Sequence, residues 1–200
     1  MSSRKLSICL GTVSLAAFGF CAFVNSALPA ENGTTNQVEL LDLKDHRVNP
    51  FSQTNAKAIV FIFVTSSCPI ANRYAPEIQR LQNRFKDVAF WLVHADPKET
   101  TEEIEKHQRE YGYTCGVLRD PRHQLVALAG ARVTPEAALF LPNGQLAYHG
   151  RIDDRYEDFG KARSEPTRRD LQLAIEAVLK GKSPPVRETR AVGCYIPGLK

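Results

Sequence analysis

The sequence predicts an α/β domain in which a central β-sheet is flanked by helices, with an N-terminal hairpin and a C-terminal tail. Ala58-Ile-Val-Phe-Ile-Phe-Val64 is a continuous apolar, largely β-branched run, the pattern of a strand buried on both faces of a sheet. After a short loop the period changes. Ile70, Tyr74, Ile78, Leu81 and Phe85 recur at helical spacing, which predicts a helix to about Lys86 with one face packed down. Strand-like and helix-like stretches then alternate as far as Lys180.

The remaining elements follow in order. Val38–Leu43 and His46–Phe51, separated by Lys44-Asp45, read as a hairpin or a pair of short strands. Val88 to Ala95 is a second strand of the sheet. Thr100-Thr-Glu-Glu103 offers a capping box for a helix to about Tyr111, since Thr and Glu at that spacing satisfy each other's free amides. A short apolar strand follows Cys115. Asp120-Pro121 is expected to open a helix ending near Gly130, with Asp as the cap and Pro in the first helical position. Glu136–Leu141 and Gln145–Ile152 flank Asn143-Gly144, a strong hairpin signal. Residues 153–166 read as a polar, solvated loop. Leu171, Ala174, Ile175, Val178 and Leu179 form the stripe of a last helix from about Thr167 to Lys180, stopped by Gly181. Residues 182–200 form a tail without periodicity, and there is no internal repeat.

The front end points to export. Arg4 and Lys5 precede an uncharged apolar run from Leu6 to Val24, and small residues follow at Ser26, Ala27 and Ala30. This is the layout of a signal peptide over residues 1–30, with an uncleaved anchor as the alternative. Residues 31–36 read as a flexible lead-in, 37–181 as the domain, and 182–200 as the tail. The expected location is periplasmic or secreted, with membrane attachment only if the leader is retained. Arg4 and Lys5 are the leader's only charges, so the rest of the chain keeps 24 basic against 22 acidic residues. That balance implies no basic face for nucleic acid. No phosphate loop or dinucleotide fingerprint is present, and no cofactor is expected.

Cysteine usage narrows the chemistry. Cys9 and Cys21 lie in the leader, which leaves Cys68, Cys115 and Cys194, an odd number for an oxidising compartment. Cys68 follows the first central strand and opens a helix, where backbone N–H groups and the helix dipole favour a thiolate. Three residues on, where a second cysteine would complete a redox pair, stands Ala71. Cys194 lies in Val192-Gly-Cys-Tyr-Ile-Pro197, an apolar island that suggests a docked, strand-like segment, and it is the preferred partner of Cys68. Cys115 competes, either as that partner or as a buried hydrophobe, and a Cys115–Cys194 staple would leave Cys68 free.

The order of elements around Cys68 resembles the thioredoxin fold, with a central mixed sheet. Pro76, eight residues after Cys68, stands where thioredoxins have a helix-kinking proline, and a proline inside a helix is otherwise costly. Pro135, preceded by Val133-Thr134, matches the family's cis-proline, which would face the thiol. The N-terminal hairpin and the Val88–Asp96 strand resemble the redoxin branch, the AhpC/TSA and TlpA-like proteins. The resemblance covers about residues 37–180. It implies a thiol-dependent oxidoreductase of the cell envelope: Cys68 as nucleophile, Thr65 supporting the thiolate, Cys194 resolving, and Pro69, Thr134 and Pro135 shaping a substrate groove. Its partners would be a protein thiol or disulfide, or a peroxide, together with an external thiol reductant.

Two other activities are weighed. Thr65-Ser-Ser-Cys68-Pro69 matches the end of the peroxiredoxin motif, although Phe61 occupies the place of that motif's proline. The peroxiredoxin arginine aligns with about Pro135, and Arg132 and Arg151 are only neighbours in sequence. Copper-delivering proteins of the Sco type use two cysteines separated by three residues, and here the second position is Asn72. Cys68, Cys194 and His94 or His149 would suit Cu(I), whose affinity is for soft ligands. A histidine at a strand end reads first as a satisfied surface residue, and no metal is assigned.

Overall fold

The computed structural model describes residues 38–52 and 55–199; the expected leader and lead-in lie outside them. The backbone of the fold is the apolar run read above. Strand β3 (Ala58–Val64) is buried at all seven positions. It pairs in parallel with β4 (Val88–His94), which pairs in parallel with β5 (Gly116–Arg119). On its other side β3 meets β7 (Glu136–Phe140), antiparallel, and β7 meets β8 (Leu146–Gly150) across the expected Asn-Gly turn. The N-terminal hairpin, β1 (Leu40–Leu41) and β2 (Arg47–Val48), adds to the edge of β5. The sheet is mixed, with order β2-β1-β5-β4-β3-β7-β8.

Side chains of β3 alternate between two cores, as the pleat requires. Val60, Ile62 and Val64 pack with Ile78, Leu81, Ile104, Leu171 and Ile175. Ile59, Phe61 and Phe63 face the other way, with Leu125 and Val126. Helices α2 (Ala75–Arg84), α3 (Thr101–Glu110) and α5 (Asp170–Leu179) therefore cover one face, and α4 (Gln124–Ala129) covers the other. The capping box at Thr100 and Glu103 is formed in both directions. Among the described residues, no helix is long and apolar enough to cross a membrane.

Four expectations are corrected. The helix expected over 70–86 is two helices, α1 (Pro69–Arg73) and α2, meeting at Tyr74. Pro76 has no N–H to continue the ladder, so the helix is cut in the preceding turn. Helix α4 starts at Gln124 rather than Pro121. Asp120 caps it from a distance, accepting the amides of Gln124, Leu125 and Val126 at 2.8, 2.8 and 2.9 Å. Helix α5 starts at Asp170 rather than about Thr167, because Asp154 holds the Thr167 and Arg168 amides at 2.7 and 2.8 Å. The loop 153–166 is not merely solvated: Asp153 and Asp154 are buried. Asp153 accepts the Tyr74 hydroxyl at 2.7 Å, and β9 (Tyr156–Asp158) pairs with β10 (Lys161–Ala162).

The tail is part of the architecture. It runs beside β8, where the His149 amide donates to Arg187 O at 3.0 Å and the Thr189 amide to His149 O at 3.2 Å. It then ends in β11 (Cys194–Tyr195), antiparallel to the short β6 (Val133–Thr134).

Candidate functional site

Cys68 caps α1 directly after the β3 loop. Its Sγ accepts the Ala71 amide at 3.4 Å, and its S–H donates to the Thr134 carbonyl at 3.0 Å. Thr134 and Pro135 are joined by a cis peptide bond, and Thr134 lies opposite Cys194 in the β6–β11 register. That register brings the tail cysteine to the helix cysteine, near enough for the two thiols to influence each other's ionisation. Gly193 makes the approach feasible, since a Cβ there would lie 2.1 Å from Thr134 O. Pro69 is exposed, whereas Thr134 and Pro135 are buried with Gly193 and Cys194 beside them. Cys68 itself is only 1% exposed, while Cys194 is partly exposed.

The two thiols are electrostatically unequal. Burial pushes Cys68 up, but hydrogen bonds from the Cys194 thiol, the Thr134 side chain and the Ala71 and Cys194 amides outweigh it. The net effect holds Cys68 below an ordinary thiol. Cys194 is pushed up to about 11, by burial first, then by its hydrogen bond and charge interaction with Cys68. Of the two thiols, Cys68 is therefore the one favoured to ionise first. Cys115, just before β5, is also pushed up to about 11, by burial, and it is not among the principal groups acting on Cys68.

Thr65 is buried, with its hydroxyl 3.5 Å from that of Thr134, long for a hydrogen bond. Arg132 is exposed, and the Arg151 guanidinium is bound to Asp170 at 2.7 Å. His94 is not a surface residue: it is 1% exposed and hydrogen-bonded to Glu99 at 3.0 Å. His149 faces Glu136 and Glu188 at 3.8 and 3.7 Å. Among the described residues, no group of three or more His, Cys, Asp or Glu side chains could hold a metal ion.

Sequence reasoning passed over Glu99 and gave Asn72 no role of its own. Glu99 accepts the Ser66 amide at 2.6 Å, and Asn72 donates to the Ser66 carbonyl at 2.9 Å. Nothing in the local pattern marks Glu99, which reads as an ordinary residue before a capping box.

The AhpC/TSA family model matches residues 30–149, which is more than half of the chain. The chain belongs to the AhpC/TSA family. It is similar to a hypothetical protein from Sinorhizobium meliloti, with 26% identity and a TM-score of 0.64 over 80% of this chain and 89% of that one. An uncharacterised protein from Geobacillus kaustophilus has 23% identity and a TM-score of 0.69, again over 80% and 89%. A secreted Mycobacterium tuberculosis disulfide oxidoreductase homologous to E. coli DsbE has 16% identity and a TM-score of 0.50, over 74% and 97%. No curated protein matches the chain. The fold is thioredoxin-like, and family and fold together support a redox function in general terms.

Proposed function

We propose that this family member is a thiol–disulfide oxidoreductase in which Cys68 attacks and Cys194 resolves. The observation that carries the reading is the β6–β11 pairing, which sets Cys194 opposite Thr134, the residue whose carbonyl accepts the Cys68 S–H. The Cys68 thiolate attacks one sulfur of a substrate disulfide, that S–S bond breaks, and the first substrate thiolate leaves. Cys68 then carries no charge, so its share in raising Cys194 disappears and only the effect of burial remains. Cys194 gives up its proton to solvent and attacks Cys68 Sγ, expelling the second substrate thiolate and closing a Cys68–Cys194 disulfide. The raised Cys194 thereby stays silent until Cys68 has reacted. An external dithiol reduces the pair by attacking the more accessible sulfur, Cys194, which expels Cys68 as the better leaving group. Val192 and Cys194 pack against the core cluster that holds the buried Cys68, so in this reading a substrate reaches Cys68 when residues 193–195 move aside.

Ellman's disulfide tests the sequence of steps. In the parent, label on Cys68 is transient and is displaced as the internal disulfide forms. In Cys194→Ala it persists, and peptide mass spectrometry finds it on the Cys68 peptide. Equal persistence in parent and variant removes Cys194 from the resolving role. The same variant tests the thiol chemistry: losing the Cys194 S–H donor raises the pH midpoint of Cys68 alkylation, because that contact favours the thiolate. An unchanged or lower midpoint contradicts it.

Family membership favours a peroxidase as the second reading. The principal groups that lower Cys68 are neutral, with no arginine among them, and this supports the exchange reading over peroxide reduction. Rapid labelling of Cys68 by a sulfenate probe after dilute peroxide, in Cys194→Ala, would reverse that order. The leader pattern supports placing the protein in the cell envelope. Mature protein beginning near Glu31 in a periplasmic or secreted fraction is the expected result, and intact Met1 in cytoplasm would contradict it.

A further inference from the structure

The loop from Thr65 to Cys68 is clasped from two sides. Glu99 Oε1 accepts the Ser66 amide at 2.6 Å, and Asn72 Nδ2 donates to the Ser66 carbonyl at 2.9 Å. Each clasp has its own support. Glu99 Oε2 meets His94 Nδ1 at 3.0 Å, and Asn72 Oδ1 meets His107 Nε2 at 2.8 Å. The two imidazoles touch edge to face with centroids 5.4 Å apart, so the contacts close into a ring through β4, its following loop, α3 and α1.

This ring is an expensive way to pack a helix. His94 and His107 are 1% and 3% exposed, and the Glu99 side chain is 8% exposed. Burial works against the Glu99 carboxylate, yet its bonds to His94 and Ser66 hold it below the usual range. Burial, with the charge of His94 beside it, holds His107 down to about 4. An apolar cluster would fasten α3 to β4 without desolvating a carboxylate and two imidazoles. What only a polar ring supplies is a grip on the backbone of Ser66. The Cys68 amide closes a turn onto Thr65 O at 3.2 Å, so a fixed Ser66 fixes where Cys68 Sγ points.

We propose that Asn72 and Glu99 are positioning residues for the Cys68 thiol, holding it at the Ala71 amide, the Thr134 carbonyl and Cys194. The inference deepens the exchange reading and rests on it for the role of Cys194. Two measurements separate a positioning role from a merely structural one. The first is the equilibrium constant of the Cys68–Cys194 disulfide with glutathione, which reports how well one sulfur is presented to the other. The second is the pH profile of Cys68 alkylation in a Cys194→Ala background, which does not depend on the pairing.

Asn72→Ala and Glu99→Ala are expected to lower the first at least about tenfold and to move the second toward an ordinary thiol. Glu99→Gln keeps an acceptor for the Ser66 amide and is expected to stay within about threefold of the parent. If all three variants retain the parent constant and profile while melting at lower temperature, the ring is structural and the proposal fails. Should Glu99→Ala not fold, the partly exposed Asn72 site decides alone. If the parent forms no Cys68–Cys194 disulfide, the exchange reading falls. The alkylation profile then decides the positioning role by itself: a shift upholds it and none removes it.

Discussion

Gly193→Ala is expected to lower the equilibrium constant for closing the Cys68–Cys194 disulfide by roughly 100-fold. A Cβ at 193 would lie 2.1 Å from Thr134 O, 2.6 Å from Thr134 C and 3.1 Å from Pro135 N. All three are backbone atoms, so no side-chain rotation relieves the clash and the tail itself must lift. Overpacking of this kind costs up to about 3 kcal/mol, which corresponds to roughly two factors of ten. Lifting the tail also uncovers Cys68, so its alkylation at a pH where it is ionised should accelerate in the same variant. Glutathione exchange and alkylation rates check both effects. A constant within about threefold of the parent would show that the β6–β11 contact does not present Cys194 to Cys68.

Phe61→Ala is expected to destabilise the fold by about 3–5 kcal/mol. Phe61 is fully buried in the middle of β3 and packs its ring against Phe51 and Phe140 at 5.5 and 5.7 Å. Truncation removes a whole buried ring and leaves a cavity that flanking strands cannot close. Urea denaturation measures the loss, and a value below about 1.5 kcal/mol would be inconsistent with this packing. Phe61 faces the core opposite the one containing Cys68. The pH midpoint of Cys68 alkylation in the folded variant should therefore stay where the parent has it. Stability and site chemistry separate at this strand because its two faces belong to different cores.

What could be read in the sequence divides along the same physical lines. Local and periodic signals carried the elements: the apolar run 58–64, the Thr100–Glu103 box, the Asn-Gly turn and the stripe from Leu171 all correspond to what forms. Boundaries were misjudged where a side chain from elsewhere takes a helix-end amide. Asp154 does this to Thr167 and Arg168, 13 and 14 residues away. The acidic loop looked solvated because alternating charges give no sign of the Tyr74 hydroxyl that Asp153 meets, 79 residues distant. His94 looked like a surface histidine for the same reason, since its burial depends on α3 and Glu99 rather than on its strand.

The candidate site was legible in part. Cys68 announces itself by its place after the strand, and Cys194 by an apolar island in a polar tail. Gly193 gave no warning of its own: its importance lies in a backbone contact with Thr134, 59 positions back along the chain. Asn72 and Glu99 were silent for the same reason, because each acts on Ser66 through contacts that only the folded chain brings together.

The central claim is that Cys68 and Cys194 form the redox pair, and non-reducing peptide mapping of the oxidised protein tests it most directly. The account predicts a cross-linked peptide joining Cys68 to Cys194, with Cys115 recovered as a free thiol. A peptide joining Cys115 to Cys194, with Cys68 free, would contradict it.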